Sequence, residues 1–270
     1  MTLALDERRL AMLREMGLRL LPPASPTTAA SLAATPETEV GAGALLPALG
    51  AEKQHEAPAR HDPEPLRAPQ SPAAPLVARV VDDRAGLGWD ELRTAVAACT
   101  ACGLSGTRRQ TVFGAGPARA DWMVIGDPPD EHEDAQGEPF AGPPGQLLDS
   151  MLRAIGLDRQ RNVSIANVLK CRAPAGRNPE PQEAAQCESF LRRQVELVQP
   201  RIILVMGRFA VQTLLRTQEP IGRLRGRPHE YQGVPVVVTY HPAYLLRNLA
   251  DKGKAWADLC LAMDLMDGRG

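Results

Sequence analysis

After residue 120 the chain carries four short apolar runs: DWMVIG (121–126), VSIANVLK (163–170), RIILVMG (201–207) and VPVVVTY (234–240). Each is bounded by turn signals, and at least three are apolar at successive positions. A strand with one wet face alternates apolar and polar residues. Continuous apolarity instead predicts parallel strands covered by helices on both faces. Helical periodicity fills the intervals between the runs. PPGQLLDSMLRAIG places Leu147, Leu148, Met151, Leu152 and Ile155 on one stripe, with prolines near its start and Gly156 as a stop. NPEPQEAAQCESFLRRQVELVQP places Ala184, Cys187, Leu191, Val195 and Val198 on one face, with Asn178 as the expected cap and Pro200 as the end. RFAVQTLLR follows the third run directly.

Strands alternating with helices predict an α/β fold: a three-layer sandwich around a central, mostly parallel four-stranded sheet. Ligands of such sheets bind outside the carboxyl ends of the strands. That edge would carry Gly126 and Asp127, the stretch from Asn167 to Cys171, Gly207, and His241.

The first third of the chain reads differently. Eleven of the 25 prolines lie within the first 80 residues, and 22–82 has no periodic apolar pattern. Such a segment buries too little apolar surface to offset its ordering entropy, so a Pro/Ala-rich disordered linker is expected. Before it, residues 1–21 form a short amphipathic pattern, with Leu10, Leu13 and Met16 on one stripe and Gly17 as a stop. A tethered helix of this kind could dock a partner, the bland alternative being an incidental nascent helix. The folded domain is then 83–270.

Formal net charge is −1, which argues against a strongly basic binder, but its distribution is uneven. From Arg201 to Lys254 there are nine Lys or Arg against three acids, a local +6. Its counterpart is IGDPPDEHEDAQGEPF, where Asp127, Asp130, Glu131, Glu133 and Asp134 fall within eight positions. Such a chain can grip a polyanion while reserving carboxylates for chemistry; the bland alternative is a solvated acidic loop. No run of 18 apolar residues exists, so no membrane span is expected. The N-terminus lacks the apolar core of a secretory leader, which predicts a cytoplasmic, reducing location and cysteines outside disulfides.

Cys99-x2-Cys102 lets two thiolates reach one metal centre from a single turn, and Cys171 and Cys187 follow. Four soft ligands with one tight pair suit a structural zinc or an iron–sulfur cluster; Cys187 alone could equally be a small core residue. Cys260 reads as core. In TYHPAYLLR, His241 is held by Pro242 at a strand end as a potential acid or donor. Leu245, Leu246 and Arg247 follow as a potential wedge and phosphate clamp, or as an ordinary helix start with its leucines packed inward. In IGRLRGRPHEYQG, Arg223, Arg225 and Arg227 alternate, as phosphate contacts would, or as the solubilising charges of an exposed edge hairpin.

Taken together, CTAC, GEPFAGPPGQLLD, NVLKCRAPAGRNPEP with its trailing Cys187, and RGRPHEYQGVPVVVTYHPAYLLR resemble the family 4, iron–sulfur uracil-DNA glycosylases. The resemblance runs from about Cys99 to Ala262 and leaves the first 85 residues outside. It implies a [4Fe–4S] cluster on Cys99, Cys102, Cys171 and Cys187. It also implies monofunctional removal of uracil from DNA in base excision repair, with an abasic site as product. Phe140 corresponds to the ring that stacks on the flipped base. Asn167 corresponds to the uracil-reading amide, beside Gly126 at the pocket wall, and His241 to the donor to uracil O2. A carboxylate near C1′, Asp127 or secondly Glu133, would meet the cationic sugar and orient water. The DNA contacts implied are Arg223, Arg225, Arg227, Leu245, Leu246 and Arg247. A monomer acting on uracil-containing DNA is expected, with a repair or replication partner for the N-terminal helix.

This chain departs from the family at Gly126-Asp127-Pro128-Pro129-Asp130, where Gly-Glu-(small)-Pro-Gly is usual. Asp127 is one methylene shorter, Pro128 has no amide hydrogen, and Asp130 replaces a glycine. That motivates a second reading, a catalytically impaired DNA-binding protein of the same fold. A narrower form of it is a covalent trap using His229, although the longer basic insertion of such relatives is absent.

Overall fold

A computed structural model describes residues 84–268. The N-terminal helix expected over 1–21 and the linker over 22–82 lie outside the described residues.

The four apolar runs form β1 (Trp122–Gly126), β2 (Val163–Asn167), β3 (Ile202–Met206) and β5 (Val234–Thr239). A fifth strand, β4 (Pro228–Tyr231), extends the expected four-stranded sheet. The sheet order is β2-β1-β3-β5-β4. β1 pairs in parallel with β2 and β3, and β3 with β5, while β4 runs antiparallel to β5 at the edge. Every residue of β1, β2 and β3 is buried, which is why their sequences show no alternation.

The alternation is nonetheless present in space. Met123 and Ile125 pack into one core with Ile203, Val205, Val236 and Val238, whereas Trp122 and Val124 pack into another with Leu204 and Val237. The first core is closed by α1 (Trp89–Ala97) and by the helix over Pro181–Val198. The second is closed by the helices over Pro143–Ala154 and Lys252–Met266. The result is the three-layer sandwich anticipated from the pattern. Each fully buried Leu, Ile or Val contributes about 1.5–3 kcal/mol by leaving water.

In chain order the remaining helices are α2 (Glu131–Gln136), α3 (Pro143–Ala154), α4 (Pro181–Val198), α5 (Arg208–Leu214), α6 (Ile221–Leu224), α7 (Pro242–Arg247) and α8 (Lys252–Met266). α4 begins later than expected. Pro181 at the first helical position holds Glu180 in extended conformation (φ −76°, ψ 153°), so Glu180 and not Asn178 is the flanking residue. The Glu183 carboxylate then accepts the Glu180 amide at 2.8 Å. No helix among the described residues is long and apolar enough to cross a membrane.

Strand register sets out the functional edge. Gly126 lies beside Asn167 on one side and Met206 on the other, and Met206 lies beside Thr239, two residues before His241.

Candidate active site and cysteine pocket

The five carboxylates that follow β1 do not form a solvated loop. Asp130 caps α2, its Oδ1 accepting the amides of His132 at 2.8 Å and Glu133 at 2.9 Å. Glu133 answers by accepting the Asp130 amide at 2.7 Å, a reciprocal capping box. The Asp-x-x-Glu spacing in the sequence was the signal for it. Asp130 sits at φ −87°, so the glycine usual at this place in the family is not required here. Asp134, buried, accepts the Arg109 amide at 3.0 and 3.1 Å. Glu131 is exposed and faces Arg172 at 3.8 Å, a pair of little energetic weight.

Glu133 does more than cap. Its Oε1 also accepts the Phe140 amide at 2.5 Å and the Asn167 side-chain amide at 3.1 Å. One buried carboxylate thus ties the end of β2 to the Phe140 backbone, and burial raises its pKa against those hydrogen bonds. Phe140 is held in the left-handed region (φ 51°), and its ring lies against Gly126. A Cβ at Gly126 would fall 2.6 Å from the Phe140 ring, so only glycine admits this approach. The Phe140 ring also stacks on His241, with centroids 5.0 Å apart and planes at 17°.

Asn167 is fully buried. Its Nδ2 donates to the Asp127 carbonyl at 2.8 Å as well as to Glu133, while its Oδ1 is a buried acceptor without a partner. An orphaned acceptor at a strand's carboxyl end is a place for a ligand N–H.

His241 flanks the start of α7, with Pro242 at the first helical position. Its Nδ1 accepts the Ala243 amide at 3.2 Å, so in the neutral ring the proton sits on Nε2. Burial lowers its pKa to about 4, with the Arg247 charge acting in the same direction and Asp130 against it. At neutral pH it is an uncharged N–H donor.

The Asp127 carboxylate leaves this cluster for the start of α5. Its Oδ1 accepts the Ala210 amide at 2.8 Å, and its oxygens lie over Gly207, where a Cβ would fall 2.2 Å from Oδ2. Burial raises its pKa to about 6, opposed by the Ala210 and Phe209 amides and by Arg208. With Pro128, Asp130, Arg172, Asn178 and Phe209 it lines an open groove beside the pocket.

The expected DNA-binding residues divide. Leu245 is fully buried in the second core, so the wedge expected at Leu245 and Leu246 reduces to Leu246, which is 41% exposed. Leu249, 59% exposed at the start of a 3-10 turn over Leu249–Asp251, follows closely in the chain and had no signal in the sequence. Arg247 is exposed. Of the three alternating arginines, Arg223 and Arg227 are exposed, whereas Arg225 turns inward. It pairs with buried Asp258 at 2.7 Å, donates to the Lys254 carbonyl and covers the Tyr240 ring at 4.6 Å. α6 breaks the alternation that would have put all three on one face. His229, on β4, is tied through Nε2 to the Leu224 carbonyl at 2.7 Å, which does not favour a free nucleophile there.

All five cysteines are free of disulfides. Cys99, Cys102, Cys171 and Cys187 line one pocket with Arg108 and Lys170. Cys260 packs instead at the edge of the second core. Arg108 donates to the Cys171 sulfur at 3.0 Å, and the Lys170 amide to the Cys187 sulfur at 3.3 Å. Burial pushes the Cys187 thiol up to about 12 and raises Cys171 as well. Among the described residues no group of three or more His, Cys, Asp or Glu side chains is arranged to hold a single metal ion. Four thiols around one pocket are a donor set that suits a thiolate-ligated metal centre. The two cations were not anticipated from the sequence, since neither Lys170 nor Arg108 falls in a ligand motif.

The α/β sheet thus presents the Phe140 ring, the unpartnered Asn167 Oδ1 and the neutral His241 ring at one edge, in a chain that also carries the cysteine pocket. The profile of the uracil DNA glycosylase superfamily matches residues 113–260, and the chain belongs to that superfamily. It is similar to the type-4 uracil-DNA glycosylase of Archaeoglobus fulgidus, 38% identical over 165 residues that cover 58% of this chain and 82% of the relative. The type-4 enzyme of Thermotoga maritima is 39% identical over 156 residues, covering 57% and 81%. A type-5 uracil-DNA glycosylase of Pyrobaculum aerophilum is more distant, at 30% over 149 residues, covering 49% and 66%.

Proposed function

We infer that the protein is a monofunctional uracil-DNA glycosylase, hydrolysing the N-glycosidic bond of uracil in DNA to leave an abasic site. The observation that carries the residue roles is the pairing of two complementary groups at one sheet edge. Asn167 offers an unpartnered carbonyl for uracil N3–H, and His241 offers an Nε2–H whose partner nitrogen is already engaged.

The base must leave the stack to reach a buried pocket. Phe140 then supplies the stacking face and Asn167 selects uracil, because cytosine N3 carries no hydrogen to donate. The Asn167 Nδ2 is committed to Asp127 and Glu133, so selection rests on the carbonyl rather than on both ends of the amide. As the C1′–N1 bond breaks, negative charge develops on uracil O2, and the His241 donor stabilises it without a net proton transfer. The sugar becomes oxocarbenium-like, and water adds to C1′ as its proton passes to a carboxylate. We assign that role to Asp127. It lines the open groove, whereas Glu133 is only 4% exposed and spends its oxygens on the Asp130, Phe140 and Asn167 N–H groups. Glu133 instead positions the pocket. Leu246, Arg247, Arg223 and Arg227 are left to engage the DNA.

Cys99, Cys102, Cys171 and Cys187 would hold a [4Fe–4S] cluster. When bound it supplies a crosslink between the turn after α1, the end of β2 and α4, and no redox step in the hydrolysis. Residues 83–270 constitute the catalytic domain, acting as a monomer in a reducing, cytoplasmic setting. To residues 1–82 we assign the recruitment of a repair or replication partner.

The test is incubation of the iron-loaded full chain with a uracil-containing oligonucleotide, followed by alkaline cleavage. Strand breaks at uracil are expected, and His241→Ala should lower kcat about 10²–10³-fold without loss of fold. Wild-type protein that retains its iron yet produces no break would overturn the reading.

A further inference from the structure

Lys170 is among the largest fully buried side chains, only 1% exposed, yet it carries an ammonium group. Its Nζ donates to the Asn167 carbonyl at 2.9 Å and to Gln194 Oε1 at 2.6 Å. Gln194 is itself fully buried and anchored to the Phe113 carbonyl at 2.8 Å. These two acceptors are neutral. A buried ammonium with only neutral acceptors is costly, and neutral hydrogen-bonding groups could satisfy the same carbonyls. The position therefore points to an anion that the polypeptide does not itself supply. Lys170 lines the cysteine pocket, immediately precedes Cys171, and its amide contacts the Cys187 sulfur. The Cys187 and Cys171 sulfurs lie within electrostatic reach of its ammonium, and they would be thiolates with a metal bound.

We propose that Lys170 is a positioning residue that couples the cysteine pocket to the uracil-reading amide. Its backbone amide meets the Cys187 sulfur, while its ammonium folds back three residues to hold the Asn167 main-chain carbonyl. Asn167 needs such support. Its side chain reaches the pocket from the last residue of β2, where the ladder ends, and its Oδ1 must await a ligand without a partner of its own. The Val168 amide to the Gly126 carbonyl at 2.9 Å fixes one side of this turn, and Lys170 fixes the other. A bound cluster would thus do more than brace the fold: it would balance the cation that keeps the recognition amide in register.

This inference rests on the uracil-DNA glycosylase reading and on the cluster, so its test uses two readouts. Iron-loaded Lys170→Met is compared with wild type for the midpoint potential of the cluster, without DNA, and for kcat and KM on a uracil oligonucleotide. Removal of a nearby cation disfavours the more negative, reduced cluster, so the potential should move to a more negative value. kcat should fall about 10-fold or more through misplacement of Asn167, with a smaller change in KM. An unchanged potential, or an unchanged kcat, in iron-loaded Lys170→Met would overturn the coupling. If that variant does not retain iron, Gln194→Leu keeps the charge and removes one tether. It should then lower kcat with the potential unmoved, and an unaltered kcat would overturn the proposal. Absence of uracil excision by wild type would instead fail the functional reading, while the potential still tests the contact between Lys170 and the cluster.

Discussion

The acidic segment after β1 and the cysteine pocket behind the sheet are both crowded with ionisable groups, and they are finished in different ways. In the acidic segment the chain completes itself. Asp130, Glu133 and Asp134 take their hydrogen bonds from backbone amides, and the one long-range side-chain donor to Glu133 is Asn167. In the cysteine pocket four thiols gather beside Arg108 and Lys170, and burial holds Cys171 and Cys187 in their neutral forms. A buried ammonium and a half-exposed guanidinium beside neutral thiols are an unbalanced arrangement, which thiolates bound to a cluster would balance. The first region is a scaffold set by folding, and on the proposed reading the second is completed by a bound cluster.

The largest effect that could break this contrast is Cys187→Ser. Loss of one ligand should release iron and leave the Lys170 charge buried without its partner. Thermal denaturation should show a loss of at least ~3 kcal/mol, on the scale of a lost crosslink, and a Tm lower by about 10 °C. Iron content and uracil excision should fall together. A Cys187→Ser protein with normal Tm and activity would mean that the cysteine pocket is as self-sufficient as the acidic segment.

How much of this was legible beforehand depends on how far each feature is local. The four buried strands were readable because burial on both faces leaves a continuous apolar run that no helix stripe imitates at that length. β4 was legible only as the alternative of an exposed edge hairpin, which it forms with β5, because a half-exposed strand of four residues starting with Pro228 carries no such run. Gly126, Asn167 and His241 were placed correctly at one edge, since strand ends follow from strand runs. The partners of their side chains were not readable, because Glu133 meets Asn167 across 34 positions and Lys170 meets Gln194 across 24. Phase was the other loss. Arg225 and Leu245 were read with their neighbours as exposed, but each lies in or just after a single helical turn. There a shift of one residue rotates the side chain by about 100°.

The next effect tests the exception within the acidic segment. Asp127 is the carboxylate there whose pKa is raised to about 6 by burial while it still lines open space. As the base it must be ionised, so wild-type kcat/KM should rise with pH through about 6. His241, lowered to about 4, stays neutral across that range and does not set this limb. Asp127→Asn should lower kcat about 10²-fold or more and abolish the limb. Stability should move the opposite way. A carboxyl whose pKa is about 6 folded and 3.8 unfolded favours folding below 3.8, and that contribution is lost as pH rises through 6. Asp127→Asn should therefore match wild type near pH 4 and exceed it by about 1–2 kcal/mol near pH 8. A variant less stable at pH 8 would show that Asp127 is held as a charged cap of α5, part of the self-completing scaffold.

The smallest effect separates two adjacent leucines. Leu245 faces the second core with no exposure, so Leu245→Ala should cost about 2–5 kcal/mol of stability on any substrate or none. Leu246 is 41% exposed, and its truncation should leave stability within about 0.5 kcal/mol. What Leu246→Ala should change is the ratio of rates on duplex and single-stranded uracil DNA. Unstacking a base from a duplex costs a few kcal/mol that a single strand largely avoids, and an apolar wedge defrays part of it. A fall of about 3–10-fold on duplex with little change on single strands would assign Leu246 to base extrusion. An equal fall on both would place it with general DNA contacts such as Arg247, and would shift attention to Leu249, the more exposed leucine three positions on.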